Sequence, residues 1–191
     1  MWKTFSHKKW EKVVKSGNKC LILDCYLTTI EIIMYQLLGE FPCKIDSKGR
    51  LRLPSGLLDQ LPADERDLFV INRGFEGCLN LYPKKVWDEK SAQVKQLNEF
   101  DLNSRMFKRA FLNGAAHLKK DGADRLNLPN SLLQYAGIEN EALLVGVDAN
   151  MELWSADKWN EVQSKLTAER FAELAQTVLG NRANSAPAEP Q

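Results

Sequence analysis

The chain has 191 residues, of which 44% are hydrophobic and 27% are charged, and its formal net charge is +1. This composition is typical of a soluble globular protein of one or two small domains and excludes a chain that is disordered throughout. A nearly neutral chain also excludes nucleic-acid binding through net charge alone, so any such binding requires a local basic patch.

The first 33 residues differ in character from the rest of the sequence. Six lysines against three acidic residues give this segment a charge of +3, so the remainder must carry −2. Residues 21–33 are apolar but contain two acids and are too short to span a membrane, and no signal-peptide cleavage site follows the charged region. The segment is either an amphipathic accessory helix or lies upstream of a true start at Met34. We favour the second, because Met34 leads directly into the first predicted strand.

Residues 34–100 predict a strand, a tight turn, a strand, a short helix, two strands and a helix. Phe41–Ile45 alternates apolar and polar side chains, as a half-buried strand does, and Asp46–Gly49 has the residue types of a tight turn. The remaining predicted elements are a strand over 51–53, a short helix over 56–61, strands over 67–72 and 78–82, and a helix from Pro83 through Leu97.

Residues 101–113 predict a helical connector, and residues 114–166 repeat the elements of the first unit. A final helix is predicted over 167–179, with apolar side chains at helical spacing that pack either on the chain's own core or on a neighbour. Residues 180–191 are rich in Asn, Ala, Ser, Pro and Glu and predict a disordered tail.

An internal duplication explains this repetition. The pattern D-x-x-x-R-L-x-L-P occurs at Asp46–Pro54 and again at Asp121–Pro129, an offset of 75, while Trp87 matches Trp159 at an offset of 72. One unit of about 70 residues is marginal for an independent core. We therefore expect the two units to share one core, or several chains to share surfaces.

The repeated motif allows a structural and a binding role. Asp46 and Asp121 lie four residues before an arginine across a tight turn, which favours an ion pair that fixes the turn. The cations of the first copy are Lys44, Lys48, Arg50 and Arg52. Those of the second copy are Lys119, Lys120 and Arg125, with Asp124 among them. A solvated charged face remains open, but we favour a DNA-contacting hairpin, because a two-stranded ribbon fits a major groove.

The duplicated motif, the aromatic strand ends at Tyr82 and Trp154, and the tryptophans Trp87 and Trp159 at the helix starts together resemble the MraZ family of bacterial transcriptional regulators. The resemblance covers about Met34–Leu166. It implies an α+β fold of duplicated swapped-hairpin, AbrB-like β-barrel modules with short helices, in a pseudo-twofold relation. It also implies a ring-shaped homo-oligomer that binds G-rich direct repeats in double-stranded DNA upstream of its own operon, in the division and cell-wall gene cluster.

The family's motif residues carry over to four positions, Asp46, Arg50, Asp121 and Arg125. The glycine before the motif arginine is present in the first copy but replaced by Asp124 in the second, which weakens the expectation that the second copy contacts DNA as the first does. We expect Lys44, Lys48 and Lys120 to neutralise phosphates and Arg50 and Arg52 to contact guanine edges. A ring displaying many hairpins would add avidity.

Other functions are less well supported. The two histidines, His7 and His117, belong to no catalytic triad or metal-ligand spacing, and no phosphate-binding glycine loop is present, so we expect no enzyme activity and no cofactor or metal. The four cysteines predict reduced thiols in the cytoplasm. Two alternatives remain open: an antitoxin-like autoregulatory module with the same fold, and a structural protein that forms the ring but does not bind DNA. The favoured prediction is a cytoplasmic, nucleoid-associated regulator.

Overall fold

The structure, a computed structural model, describes residues 36–183, with side chains as far as Gly180. The predictions for residues 1–33, including the start at Met34, lie outside the described residues, as does the end of the predicted tail, 184–191. None of the described helices is long and apolar enough to cross a membrane.

Eight strands and six helices make up the described part of the chain, together with two short 3-10 turns at Ala63–Glu65 and Phe75–Gly77. The strands are β1 (Glu40–Lys44), β2 (Arg50–Arg52), β3 (Leu68–Arg73), β4 (Leu79–Pro83), β5 (Ala116–Lys119), β6 (Arg125–Asn127), β7 (Glu141–Val147) and β8 (Asn150–Trp154). The helices are α1 (Ser55–Leu58), α2 (Lys84–Lys95), α3 (Leu102–Leu112), α4 (Asn130–Ala136), α5 (Ala156–Lys165) and α6 (Ala168–Ala183). The predicted order of elements is confirmed in both copies.

Two helix boundaries differ from the prediction by three residues or more. Helix α1 ends at Leu58 rather than at Leu61, because the next residues form tighter i→i+3 hydrogen bonds, from the N–H of Gln60 to Leu57 and from the N–H of Leu61 to Leu58. Helix α6 continues to Ala183, past Gly180, where the sequence predicts the tail to begin. Extending an existing helix by good helix formers such as alanine and arginine costs little, so a single glycine does not stop it.

The strands form an antiparallel six-stranded sheet in the order β1-β7-β8-β4-β3-β5 and a separate two-stranded ribbon of β2 and β6. Strand β1 of the first copy pairs with β7 of the second, and β5 of the second pairs with β3 of the first. Each copy thus gives its first strand to the hairpin of the other copy. Neither copy completes the sheet by itself.

The register of the strands relates the two copies by a pseudo-twofold axis. Leu51 lies opposite Leu126 in the ribbon, and these two positions are counterparts at the offset of 75. Asn80 lies opposite Glu152 in the sheet, and these are counterparts at the offset of 72. A residue that faces its own counterpart must lie near the axis, so the axis passes by both pairs.

One hydrophobic core serves both copies. It contains Leu51 and Ile71 of the first copy together with Leu126, Leu144 and Met151 of the second, all of them fully buried. This confirms the expectation that units too small to fold alone share one core. Burying a side chain of this size contributes about 1.5–3 kcal/mol relative to leaving it exposed.

Aromatic stacking and two buried thiols add to the packing, and one of these thiols, Cys43, belongs to the shared core itself. The ring of Trp87 on α2 stacks on that of Phe111 on α3, with centroids 5.2 Å apart and planes 2° from parallel, which docks the connector helix. Cys43 and Cys78 are buried free thiols. Burial raises the pKa of Cys43 to about 11 and that of Cys78 to about 12, so both stay protonated at neutral pH.

Candidate nucleic-acid interface

The turn of the first copy is organised by the carboxylate of Asp46. Its Oδ1 accepts the backbone N–H groups of Lys48 and Arg50 at 2.9 and 3.0 Å, and its Oδ2 accepts the Nε–H of Arg50 at 2.7 Å. Gly49 takes the left-handed backbone, with φ of +74°, that closes the turn. The backbone hydrogen bond from Arg50 is the largest of several causes that lower the pKa of Asp46.

The second copy repeats this arrangement. Asp121 Oδ1 accepts the N–H groups of Ala123 and Arg125, both at 2.9 Å, and Oδ2 accepts Nε–H of Arg125 at 2.9 Å. Asp124 adopts φ of +57° where the first copy has Gly49, a conformation that aspartate tolerates better than most residues. The side-chain hydrogen bond from Arg125 is the main cause that lowers the pKa of Asp121 to about 2.

The β2–β6 ribbon exposes one polar face. Leu51 and Leu126 are fully buried, so the alternating positions on either side of them point away from the core. The register places Arg50 opposite Asn127 and Arg52 opposite Arg125. We call these four residues, Arg50, Arg52, Arg125 and Asn127, the ribbon face.

The four members of the ribbon face differ in how they are held. Arg50 and Arg125 are half-buried and bonded to the turn aspartates. Arg52 and Asn127 are exposed, and their side chains form no hydrogen bond or ion pair within residues 36–183. Asn127 is not among the residues predicted from the sequence. The duplication could have pointed to it, because position 127 is the counterpart of Arg52.

The lysines fall into two groups. Lys44, Lys48 and Lys119 are exposed and form no ion pair in the described part of the chain. Lys44 shares a cavity of about 380 Å³ with Arg52 and Asp124, which places it near one end of the ribbon. Its counterpart at the offset of 75 is Lys119, which the pseudo-twofold relation places near the other end.

Lys120, which is predicted to neutralise phosphate, contacts two carboxylates of the chain itself. Its side chain is only 15% exposed. The ammonium nitrogen lies 2.5 Å from Oδ1 of Asp124 and 3.7 Å from Oδ1 of Asp67. The hydrogen bond from Lys120 to Asp124 is the main cause that raises the pKa of Lys120. The carboxylate of Asp124 is therefore neutralised by Lys120, and Arg125 keeps Asp121 as its partner.

Residues 36–183 contain no cluster of three or more His, Cys, Asp or Glu side chains that could hold a metal ion. A groove of about 650 Å³ lies between β3 and α3 and is lined by aromatic side chains and by Arg73 and Arg109. The arrangement with the clearest chemistry in the described residues is thus the ribbon face, a set of hydrogen-bond donors on a narrow two-stranded support.

A family model described as "MraZ protein, putative antitoxin-like" matches the chain twice, over residues 36–110 and 111–182. The two matches divide within α3. The chain is 38% identical over 149 residues to the protein named "Transcriptional regulator MraZ" from Christiangramia forsetii. The aligned residues cover 78% of this chain and 96% of that protein. The predicted boundaries at 34–100, 101–113 and 114–166 are not tested by these matches.

Two further relatives carry the same name. The protein of Desulforamulus reducens is 34% identical over 142 residues, which cover 74% of this chain and 96% of that protein. The protein of Limosilactobacillus reuteri is 37% identical over 140 residues, which cover 73% of this chain and 95% of that protein. None of the three is named as an enzyme.

Proposed function

The chain belongs to the MraZ family, as its duplicated motif predicts, and we propose that it is a transcriptional regulator that binds specific DNA sequences through the ribbon face. The observation that carries the proposal is the alignment of three arginines on the solvent side of a two-stranded ribbon whose other side is core. A ribbon of this width fits the major groove, where base pairs present distinct patterns of donors and acceptors.

The arginines are suited to reading guanine. Asp46 fixes Arg50 through Nε, which leaves the terminal amino groups of the guanidinium for the O6 and N7 atoms of a base. Fixing the side chain before binding reduces the entropy lost in the complex. Arg52 adds a second guanidinium on the same strand, and Lys44, Lys48 and Lys119 neutralise phosphates. Lys120 contributes less, because Asp124 already holds it.

The proposed assembly is a ring of chains with swapped-hairpin, AbrB-like modules. Support for the swapped hairpins comes from the exchange of β1 and β5 between the copies. Support for an oligomer comes from exposed apolar side chains on two helices, among them Leu102 at 60% on α3 and Phe171 at 63% on α6. Several ribbons on one ring would engage direct repeats together, which raises the apparent affinity by about 10²–10⁴-fold.

In this proposal the DNA sites are G-rich direct repeats upstream of the chain's own operon, in the division and cell-wall gene cluster. The protein then works in the cytoplasm, in association with the nucleoid. The test is fluorescence anisotropy of the full chain on a duplex of G-rich direct repeats and on a scrambled duplex, at two salt concentrations. We expect tight, salt-sensitive binding to the repeats only.

Two variants separate base reading from charge. Arg50→Ala should lose more affinity for the repeats than for the scrambled duplex. Lys48→Ala removes a neighbouring exposed cation and should weaken binding to both duplexes equally. It should also reduce the slope of log affinity against log salt concentration by about 0.9. Equal losses on the two duplexes for Arg50→Ala would limit that residue to phosphate contact. Equal, weak binding of both duplexes by the wild-type chain would contradict the proposed function.

The second candidate is an antitoxin-like autoregulatory module, which the description of the matching family model favours. An antitoxin needs a segment that binds its toxin, and the exposed apolar side chains of α6 are the candidate among the described residues. Deleting 168–191 should then abolish binding of a co-purifying protein and keep DNA binding. A wild-type chain that purifies with no such protein would contradict this alternative.

A further inference from the structure

The ribbon face is symmetric except at one pair of positions. Arg50 and Arg125 are counterparts in the duplication, and each is bonded to the aspartate of its own turn at 2.7–2.9 Å. The remaining two members of the face are also counterparts, but one is Arg52 and the other is Asn127. The pseudo-twofold axis therefore relates two different side chains at the same geometric position.

Backbone hydrogen bonds place these two side chains at opposite ends of the ribbon. The N–H of Leu128 donates to the carbonyl of Gly49 at 2.9 Å, so Asn127 lies beside the first turn and opposite Arg50. The N–H of Leu53 donates to the carbonyl of Asp124 at 2.8 Å, so Arg52 lies beside the second turn and opposite Arg125. One end presents a guanidinium with a carboxamide, and the other presents two guanidinium groups.

The two end groups suit different bases. A guanidinium offers only donors and matches the O6 and N7 acceptors of guanine, whereas a carboxamide offers one acceptor and two donors and matches the N6 donor and N7 acceptor of adenine. The carboxamide of Asn127 is exposed and bonds to no side chain or backbone group within residues 36–183, so both its functions are available to a base.

We propose that Asn127 is a base-reading residue that selects adenine at its end of the ribbon, where the Arg52 end selects guanine. This inference rests on the proposed function, because it assumes that the ribbon face enters a DNA groove. A fully symmetric face would bind a site equally well in either orientation. The single exchange of arginine for asparagine gives the ribbon a direction, so the DNA site must have one as well.

The experiment selects bound duplexes from a library with a randomised segment and sequences them, using the full chain. We expect the wild type to select a site with adenine at one defined position. Asn127→Ala should reduce the preference for adenine at that position by about 5- to 150-fold, the discrimination of one bidentate pair. Asn127→Arg should replace adenine by guanine there and make the selected site more nearly palindromic.

The matched control is Asn103→Arg, which adds the same charge to an exposed position on α3. It should leave the adenine preference unchanged. If the wild type selects a defined site and Asn127→Ala selects the same site with equal strength, the role of Asn127 is wrong and the proposed function stands. If the wild type selects no site at all, the proposed function is wrong, and the role of Asn127 falls with it.

Discussion

Asp46 and Asp121 act on the backbone as much as on the arginines. Each carboxylate accepts two backbone N–H groups and one arginine side chain, so the spacing D-x-x-x-R specifies a turn and a fixed guanidinium together. All of these bonds favour the charged carboxylate, which is why the pKa falls in both copies.

The lowered pKa of Asp121 makes stability depend on pH in acid. A carboxyl whose pKa falls on folding stabilises the protein above its unfolded pKa, and that contribution is lost as the pH falls through the folded pKa. For Asp121 the pKa moves from 3.8 to about 2, so the loss occurs between about pH 4 and pH 2. Asp121→Asn should flatten the fall in the urea midpoint over this window, whereas Asp64→Asn, at an exposed aspartate, should leave it unchanged. A variant curve parallel to that of the wild type would contradict the prediction.

In the proposed DNA-binding function, Asp124 limits how many free cations the second copy presents. Its carboxylate holds Lys120 at 2.5 Å, so Asp124→Gly, which restores the residue of the first copy, should leave that ammonium group with only the longer contact to Asp67 at 3.7 Å. We expect tighter binding to random duplex and a salt slope steeper by about 0.9, the value for one added phosphate contact. Asp124→Asn should give the same salt slope as Asp124→Gly, and it removes the charge without introducing a glycine into the turn. Asp64→Asn makes the same charge change away from the ribbon, and an equal effect from it would show that Lys120 does not reach phosphate.

The sequence predicts the motif residues better than it predicts their surroundings. The aspartates and arginines follow from local turn chemistry, which spacing within nine residues determines. The contact of Lys120 with Asp67 joins positions far apart in the chain, and no local pattern indicates it. A search for cations misses Asn127, although the duplication makes it the counterpart of Arg52; its place opposite Arg50 is known only from the strand register.

At the scale of the elements, the ribbon depends on its inner face. Strands of three residues are too short to be stable as an isolated hairpin pair. Leu51 and Leu126 anchor both strands, since each side chain is fully buried in the shared core and they face each other across the pseudo-twofold axis. The side chains of the ribbon face thus hold their positions because the other face of the ribbon packs on the core.

Shortening either leucine should therefore be costly. Leu51→Ala and Leu126→Ala should each lower the free energy of unfolding by about 2–5 kcal/mol, the range for a large-to-small change in a core. Leu68→Ala, at a side chain that is 49% exposed, should change it by less than about 0.5 kcal/mol. The double variant should depart from the sum of the single ones, because the two residues are in register. Urea denaturation measures all four, and a cost for Leu51→Ala no larger than that for Leu68→Ala would contradict the prediction.

The order of the elements could be predicted because alternation and turn residues are local signals. The partners of the strands could not be predicted from these patterns, because both copies carry similar ones, and only the family resemblance implied swapped hairpins. The sequence fits a pairing of β1 with its own hairpin as well as the observed pairing with β7. The exchange follows from the short turn after β1, which leads into β2, and from the pairing of β2 with the β6 strand of the other copy.

At the scale of the whole molecule, the two copies form one folding unit. Strands β1, β2, β3 and β4 of the first copy each pair with a strand of the second, and one core contains residues of both. Separating the copies would break four strand pairings and expose the inner face of the sheet. The ribbon face would be lost at the same time, because the ribbon takes one strand from each copy.

Fragments of the chain test this interdependence. Residues 36–113 and 114–183, prepared separately, should each lack a cooperative thermal transition as a monomer, and mixing them should restore the transition of the parent 36–183. The first half can fold by itself only as a dimer, in which a second copy of β2 takes the place of β6 around Leu51. Circular dichroism measures the thermal transition, and sedimentation measures whether each fragment is a monomer or a dimer. The control is 36–167, which lacks only the largely exposed α6 and should keep one cooperative transition. A monomeric first half with its own cooperative transition would show that the exchanged strands are not required for folding, and that each copy can pair β1 with its own hairpin.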